Sequence, residues 1–226
     1  MGLGHVRTLT AGIFGDDTAY NSHNRDLQGR NGNSRVKCAP YFRNKMSSFL
    51  QAIHSVDLGI YHALSKYAGN RFLDRLVRLE EDTNLLKGEV FFAMYWYLWW
   101  FRSGPDREGC RRAIIAIMIG AILSIIVART IAFIVPFRLR PIYDPMISHP
   151  SYSIPLTYNI ENWSAFPSDT AAYFFALAFG LACLLRRLAV PILLYTVVWI
   201  CLPRMYLGIH YASDIVVGIA VGITMV

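Results

Sequence analysis

The sequence predicts an all-α protein, a polytopic bundle of membrane helices with about five spans preceded by an amphipathic helix at the membrane interface. Two observations predict this class. Of the 226 residues, 54% are hydrophobic and only 16% are charged, whereas soluble domains carry about 25% charged residues. The apolar residues are also concentrated after Val90, in runs that approach the roughly 20 residues a bilayer-spanning helix needs.

Five apolar runs are the candidate spans. They cover residues 84–101, 113–135, 168–185, 188–202 and 206–226. The second is the clearest, because it carries no charge from Ala113 to Ala128, whereas Lys87 and Glu89 weaken the start of the first. The last run reaches Val226 without a polar tail, so we expect a truncated C-terminus or a helix that finishes at the far interface.

The chain before these spans divides into two parts. Residues 1–45 are polar and contain no apolar core of a secretory signal, so we predict a disordered segment ahead of a membrane domain at residues 46–226. Residues 48–67 have the apolar spacing of a helix but too many polar groups for lipid. This pattern predicts an amphipathic interfacial helix, and residues 71–82 continue in the same style.

Arginine-rich loops predict the orientation. Residues 102–112 carry four arginines and residues 186–187 carry two, and cytoplasmic loops are enriched in such residues. The loop 138–166 and the region of Arg204 then face the outer side. The net charge of +7 comes without a basic face interleaved with aromatics, so we expect lipid headgroup phosphates and the bilayer, not nucleic acid, as partners. The sequence carries no indication of an oligomeric state.

Three polar clusters lie at the predicted outer ends of the spans, and a helical bundle can bring them to one point. Their members are Arg129, Arg138 and Arg140 in the first, Ser168, Asp169 and Thr170 in the second, and Arg204, His210 and Asp214 in the third.

Each cluster has a chemical use. His210 and Asp214 are four residues apart, so on a helix the carboxylate can fix the tautomer of a nucleophilic imidazole. Arg140 and Arg204 carry planar forks that match phosphate oxygens. Ser168 begins a helix whose unpaired N–H groups attract anions. No pair of carboxylates is placed to hold a divalent metal, so we expect chemistry without metal or cofactor.

The motifs resemble those of the phosphatidic acid phosphatase type 2 and haloperoxidase superfamily over roughly residues 48–226. Within it they look closest to bacterial undecaprenyl-diphosphate phosphatases, which commonly show Phe-Pro-Ser-Asp at the second motif. The matching segments are Arg140-Pro141 at the end of the first motif, Pro167-Ser168 at the start of the second (Pro-Ser-Gly-His in the family), and Arg204-x5-His210-x3-Asp214 as the third.

This resemblance implies a lipid phosphatase of the bacterial plasma membrane, and the arginine-rich loops predict that its active site lies on the outer side. It further implies a phosphohistidine intermediate on His210 and a phosphate held by Arg140, Ser168 and Arg204. Neither a metal nor a cofactor is expected.

Two positions depart from the family pattern. The lysine seven residues before Arg140 is replaced by Phe133, and Arg129 or Arg138 is a candidate to supply the missing charge. The second-motif histidine, which the resemblance makes the general acid, is Thr170. A threonine hydroxyl cannot supply a proton near neutral pH, although His149 is an alternative donor. A diphosphate needs that proton least, because its leaving group is a weakly basic phosphate. We therefore predict an isoprenoid diphosphate, undecaprenyl diphosphate, as substrate.

Other interpretations remain open. Taken singly, the Pro-Ser-Asp-Thr run reads as a helix N-cap, Arg138 as a headgroup anchor, and His210 as an ordinary helix residue. The coincidence of three clusters in order favours a site. The alternatives to a phosphatase are a degenerate member of the fold that binds lipid phosphate with little or no turnover, and a lipid transporter or membrane scaffold.

Overall fold

The computed structural model describes residues 48–83, 85–145, 147 and 160–226. The chain divides into two compact units, Met1–Gln51 and Ala52–Val226; the described part of the first is residues 48–51, which begin a helix. The segment 1–45, predicted to be disordered, lies outside the described residues. Regular structure within those residues is helical throughout, which confirms the all-α class.

The helices follow the predicted apolar runs in order. They are α1 (Ser48–Ser65), α2 (Arg71–Asp82), a π-helical turn (Leu85–Glu89), α3 (Val90–Phe101), α4 (Arg107–Ile134), a 3-10 turn (Pro141–Tyr143), α5 (Asp169–Leu184), a 3-10 turn (Arg186–Leu188), α6 (Ala189–Tyr195), a π-helical section (Thr196–Cys201), α7 (Leu202–Tyr206) and α8 (Ala212–Thr224).

Two of these helical stretches are long and apolar enough to cross a membrane. They are Arg107–Ile134, of 28 residues, and Arg186–Tyr206, of 21 residues, in which the 3-10, α and π sections run on as one helix. Only about a third of the most apolar window of each is buried, 33% and 28%. The core helix of a soluble protein would be mostly buried, so these exposed apolar faces indicate contact with lipid.

The other predicted spans are shorter than the sequence suggested. Helices α3, α5 and α8 have 12, 16 and 13 residues. The first run opens with a π-helical turn, and the last begins at Ala212 rather than at residue 206. The cause of the late start is Gly208, whose φ of +69° ends the preceding helix.

Helices α5 and α8 pack closely through glycine. A β-carbon added to Gly218 would lie 2.4 Å from the carbonyl oxygen of Ser168, and one added to Gly222 would lie 2.3 Å from that of Ala172. Small residues four apart allow two helix backbones to approach in this way. This packing places the beginning of α8 beside the beginning of α5, where the polar clusters lie.

Candidate active site

Backbone hydrogen bonds join the three polar clusters at one end of the bundle. Each connects a different pair of segments that are distant in sequence. The bonds run from the N–H of Ser168 to the carbonyl of Asp214 (3.1 Å), from that of Ala165 to Arg138 (2.9 Å), and from that of Ile142 to Gly208 (2.9 Å). The structure thus brings the clusters together independently of their side chains.

His210 lies in the turn between α7 and α8 and is 3% exposed. Its Nδ1 is 2.8 Å from the carbonyl oxygen of Ala165. A carbonyl can only accept, so Nδ1 carries the proton and Nε2 keeps its lone pair. Nε2 is 3.5 Å from Nη1 of Arg140. The nucleophilic nitrogen therefore faces a guanidinium that can hold a phosphate oxygen.

The surroundings keep the His210 ring neutral. Burial lowers the pKa of His210 below its ordinary value of 6.5, and the positive charge of Arg140 lowers it further, against the opposing carboxylate of Asp169. A neutral imidazole is the form that attacks phosphorus. The site therefore holds its nucleophile in the reactive state at neutral pH.

Arg140 is held by carbonyl groups on both sides of the site. It is 5% exposed. Its Nη1 donates to the carbonyl of Ile209 (3.0 Å), Nε to that of Trp163 (3.2 Å) and Nη2 to that of Ser164 (3.4 Å). These bonds fix the direction of the guanidinium, which reduces the conformational entropy lost when an anion binds.

Arg204, in α7, connects the site to helix α2. Its carbonyl accepts the N–H groups of Ile209 (3.0 Å) and His210 (3.3 Å), and so shapes the turn that carries the histidine. Its Nη1 lies 3.1 Å from Oε1 of Glu81. A phosphate bound here, as the sequence predicts, would share this guanidinium with Glu81 or displace it.

The structure does not place Asp214 against His210, so the expected contact between them is wrong. The spacing of four assumed one continuous helix, but α8 begins only at Ala212. The carboxylate instead accepts the N–H of Tyr211 (2.8 Å) and pairs with Nη1 of Arg138 (2.5 Å). Asp214 thus caps α8 and fixes the turn, while a backbone carbonyl orients the histidine.

Arg138, predicted as a candidate ligand of the substrate phosphate, forms ion pairs with two carboxylates. Its Nη2 lies 2.6 Å from Asp57 and its Nη1 pairs with Asp214, and both carboxylates are almost fully buried. The guanidinium also donates to Ser213 (2.8 Å) and lies over the ring of Tyr211 (4.2 Å). Arg138 therefore joins α1 to α8. The sequence signal for this role was an acidic residue, Asp57, on the apolar face of an amphipathic helix.

Arg129 lies beside the start of α5. Its guanidinium pairs with the carboxylate of Asp169 and stacks on the ring of Trp163, 4.1 Å from the centroid. Phe133, four residues later, is 89% exposed. The positive charge of Arg129 at this edge of the site is thus paired with Asp169.

The amide groups at the start of α5 are partly occupied. Oγ of Ser168 accepts the N–H of Ala171 (3.3 Å), and Oδ1 of Asp169 accepts that of Thr170 (2.8 Å). The expectation that these N–H groups are all unpaired is therefore wrong, because capping side chains use them. An incoming phosphate would compete with both.

A cavity of about 420 Å³ opens beside this arrangement. Its lining is partly polar and partly apolar. The polar residues are Lys87, Glu89, Asp169, Thr170 and Arg204, and the others are Gly88, Phe92, Ile125, Tyr173 and Phe174. Sequence reasoning missed Lys87, which it treated only as a charge that weakens the first span. His149, the alternative proton donor, lies outside the described residues.

Within the part of the chain that the structure describes, there is no group of three or more His, Cys, Asp or Glu residues that could hold a metal ion. Chemistry without a metal stays a prediction.

Comparison with known proteins finds one family model and one solved structure that resemble the chain. Residues 133–226 match the model of the PAP2 superfamily. The chain is also similar to the crystal structure of the first transmembrane PAP2 type phosphatidylglycerolphosphate phosphatase from Bacillus subtilis. The two share 16% identity and a TM-score of 0.42, over 77% of this chain and 82% of that one. No curated protein sequence matches the chain.

Proposed function

We infer, since residues 133–226 match the model of the PAP2 superfamily, that the chain is a membrane phosphatase that removes phosphate from a lipid phosphate. The observation that carries this proposal is the state of His210. Its Nδ1 is engaged by a carbonyl, its Nε2 faces Arg140, and burial keeps the ring neutral. A buried imidazole held in this way, beside a buried arginine, suits nucleophilic attack on phosphorus.

The proposed reaction has two displacements. Nε2 of His210 attacks phosphorus, an N–P bond forms, and the bond from phosphorus to the lipid oxygen breaks, leaving the lipid part with the electron pair. Arg140 and Arg204 stabilise the phosphoryl oxygens, whose charge they neutralise. Water then attacks the phosphohistidine, the N–P bond breaks, inorganic phosphate leaves, and His210 is neutral again.

We propose an isoprenoid diphosphate, undecaprenyl diphosphate, as the substrate. Thr170 lines the cavity at the position where the family has a proton donor, and a phosphate leaving group departs without one. The apolar lining of the same cavity suits a hydrocarbon chain. This substrate implies a protein of the bacterial plasma membrane whose active site faces the outer side.

Phosphate release from three lipids in detergent tests the proposal. The substrates are undecaprenyl diphosphate, phosphatidate and phosphatidylglycerol phosphate, and the proteins are wild type, His210→Ala and the exposed control His62→Ala, each with and without EDTA. We expect release that survives EDTA, is fastest on the diphosphate, is lost in His210→Ala and persists in His62→Ala. Faster cleavage of either monophosphate lipid would contradict the substrate, and activity in His210→Ala would contradict the mechanism.

Thr170 also favours one second candidate, a lipid-phosphate-binding protein with little or no turnover. It predicts that wild type and His210→Ala both bind the lipids and that neither releases phosphate.

A further inference from the structure

Lys87 is a buried cation outside the three polar clusters. It lies in the π-helical turn before α3 and is 9% exposed. Its Nζ is 3.6 Å from Glu80 and 3.5 Å from Glu81, and it donates to the carbonyl of Glu81 (3.2 Å). Burying an ammonium group is costly unless it is paired. Its two carboxylate neighbours, Glu80 and Glu81, stabilise the buried charge. Because Lys87 also lines the cavity, its ammonium group can bind an anion there.

Glu81 connects Lys87 to the catalytic side of the molecule. One carboxylate oxygen lies 3.5 Å from Lys87 and the other 3.1 Å from Arg204. A group with two anionic oxygens thus bridges two cations that both line the 420 Å³ cavity. A phosphate group offers the same pattern of oxygens with more charge, so the two cations are spaced to accept one.

Two residues that line the cavity also act electrostatically on the nucleophile. Arg204 and Asp169 line it, and the charges of both act on the pKa of His210. Two carboxylates oppose anion binding within it: Asp169, which is paired with Arg129, and Glu89, which is exposed at the rim. The cations Lys87 and Arg204 therefore attract an anion from the buried end of the cavity.

The rest of the cavity faces lipid. Phe92 is 50% exposed on α3, and Ile125 lies on α4 between Ile122 and Ile126, which are 57% and 55% exposed. An anionic group at Lys87 would thus have its hydrocarbon chain beside an apolar surface. The cavity thus joins two cations, Lys87 and Arg204, to the lipid-facing helices α3 and α4.

We propose that Lys87 forms, with Arg204 and Thr170, a second phosphate subsite that binds the lipid-linked phosphate of a diphosphate substrate. This inference rests on the proposed function. His210 and Arg140 take the terminal phosphate, Lys87 holds the phosphate that stays on the lipid, and Arg204 lies between the two phosphates and serves both. When the bond between the two phosphates breaks, the bridging oxygen keeps the electron pair. The ammonium group of Lys87 then stabilises the negative charge on that oxygen, because Thr170 cannot supply a proton to neutralise it.

The first test compares substrates. We expect Lys87→Met to lower kcat/KM for undecaprenyl diphosphate by about 100-fold and for phosphatidate by less than about 5-fold, since a lost charged hydrogen bond costs about 10- to 100-fold. Lys87→Arg should recover part of the loss, and the exposed control Lys66→Met should match wild type. An equal loss on both substrates, or no loss, would overturn the subsite.

Removing Lys87 leaves two buried carboxylates, which can harm folding. The double variant Lys87→Met/Glu80→Gln keeps the local charge balance, and its unfolding temperature shows whether the fold persists. The same selective loss on the diphosphate is expected from it.

A binding measurement separates this inference from the proposed function. In the His210→Ala background, where turnover is removed, methylenediphosphonate should bind about 10-fold more tightly than inorganic phosphate, and Lys87→Met should abolish the difference. Equal binding of the two probes would overturn the subsite even if wild type releases phosphate. Unequal binding that depends on Lys87 would support it even if no lipid is cleaved.

Discussion

The Nδ1 of His210 lies 2.8 Å from the carbonyl oxygen of Ala165, so a backbone group holds the ring. Asp214, four residues later, pairs with Arg138 and caps α8 instead. A carbonyl fixes the tautomer as a carboxylate would, but it adds no full negative charge beside the ring. The reactivity of the histidine and the stability of its turn thus depend on different residues.

This division predicts the behaviour of Asp214→Asn. The amide oxygen can still accept the N–H of Tyr211, but the charge that pairs with Arg138 is lost. Because breaking a buried ion pair costs about 3–5 kcal/mol, we expect a clear fall in unfolding temperature. We expect kcat to fall by about 10-fold, far less than in His210→Ala, because Nδ1 keeps its acceptor. Asp57→Asn, which removes the other partner of Arg138, is the matched variant and should behave alike. A loss of kcat as large as that of His210→Ala, at an unchanged unfolding temperature, would refute this division of roles.

The charge state of His210 predicts the pH dependence of phosphate release. Because its pKa is lowered in the folded protein, the ring stays neutral as pH falls below 6.5. We therefore expect kcat/KM to show no acid limb from this group near pH 6.5, the ordinary value of histidine. The profile should be measured from pH 5 to 8, with the ionisation of the substrate followed separately by phosphorus NMR. An acid limb at pH 6.5 that the substrate does not explain would contradict a buried neutral nucleophile.

The contact between Gly218 and Ser168 predicts a steric effect on the site. A β-carbon at position 218 would lie 2.4 Å from the carbonyl oxygen of Ser168, and backbone cannot move aside as a flexible side chain can. We expect Gly218→Ala to destabilise the protein by about 1–3 kcal/mol and to reduce phosphate release, because Ser168 caps α5 at the site. The control is Gly59→Ala in α1, where nothing lies within 4 Å. It should be neutral or stabilising by up to about 1 kcal/mol. Equal effects of the two variants would contradict the packing argument.

The helices were largely predictable from the sequence, whereas their exact lengths were not. Apolar runs report burial or lipid contact, but they do not show where the backbone leaves the helix. The turn at Gly208 delays α8 to Ala212, and the span predicted from residue 206 could not anticipate it. The same turn removes His210 from the helix, and with it the expected contact to Asp214.

The candidate site was predictable in composition but not in pairing. Motif spacing identifies Arg140, Ser168 and His210 as neighbours, because each lies at or near the outer end of a predicted span. It cannot show that Arg138 is taken by Asp57, 81 residues away, or that Lys87 lines the same cavity as Arg204. These contacts depend on how α1 and the turn before α3 pack, which no local pattern encodes.

The threonine at position 170 predicts a change of substrate preference. Thr170→His places an imidazole in the cavity that Arg204 also lines, where it can protonate a leaving oxygen. We expect the rate on phosphatidate, whose leaving group is an alkoxide, to rise about 100-fold relative to that on undecaprenyl diphosphate. Thr170→Asn, which is polar but carries no transferable proton, is the control. A gain in both variants, or a larger gain on the diphosphate, would show that proton supply is not what Thr170 lacks.

The burial of Glu80 predicts how the stability of the protein, and not its catalysis, depends on pH. It is 1% exposed, and burial raises the pKa of its carboxyl from 4.5 to about 7, against the opposing charges of Arg204 and Lys87. The folded protein therefore holds this proton more tightly than the unfolded chain does. The resulting contribution to stability is fully present below about pH 4.5 and is lost as pH rises through about 7.

Glu80→Gln keeps the shape of the side chain and removes this titration. The lowered pKa of His210 gives a slope of the opposite sign, so the informative quantity is the difference between variant and wild type. We expect the unfolding temperature of the variant, relative to wild type, to rise steadily from pH 4.5 to 7.5. Glu108→Gln neutralises a glutamate whose side chain is 69% exposed and should leave the difference flat. A flat difference for Glu80→Gln as well would mean that Glu80 is ionised throughout this range, held by Lys87 as a full ion pair.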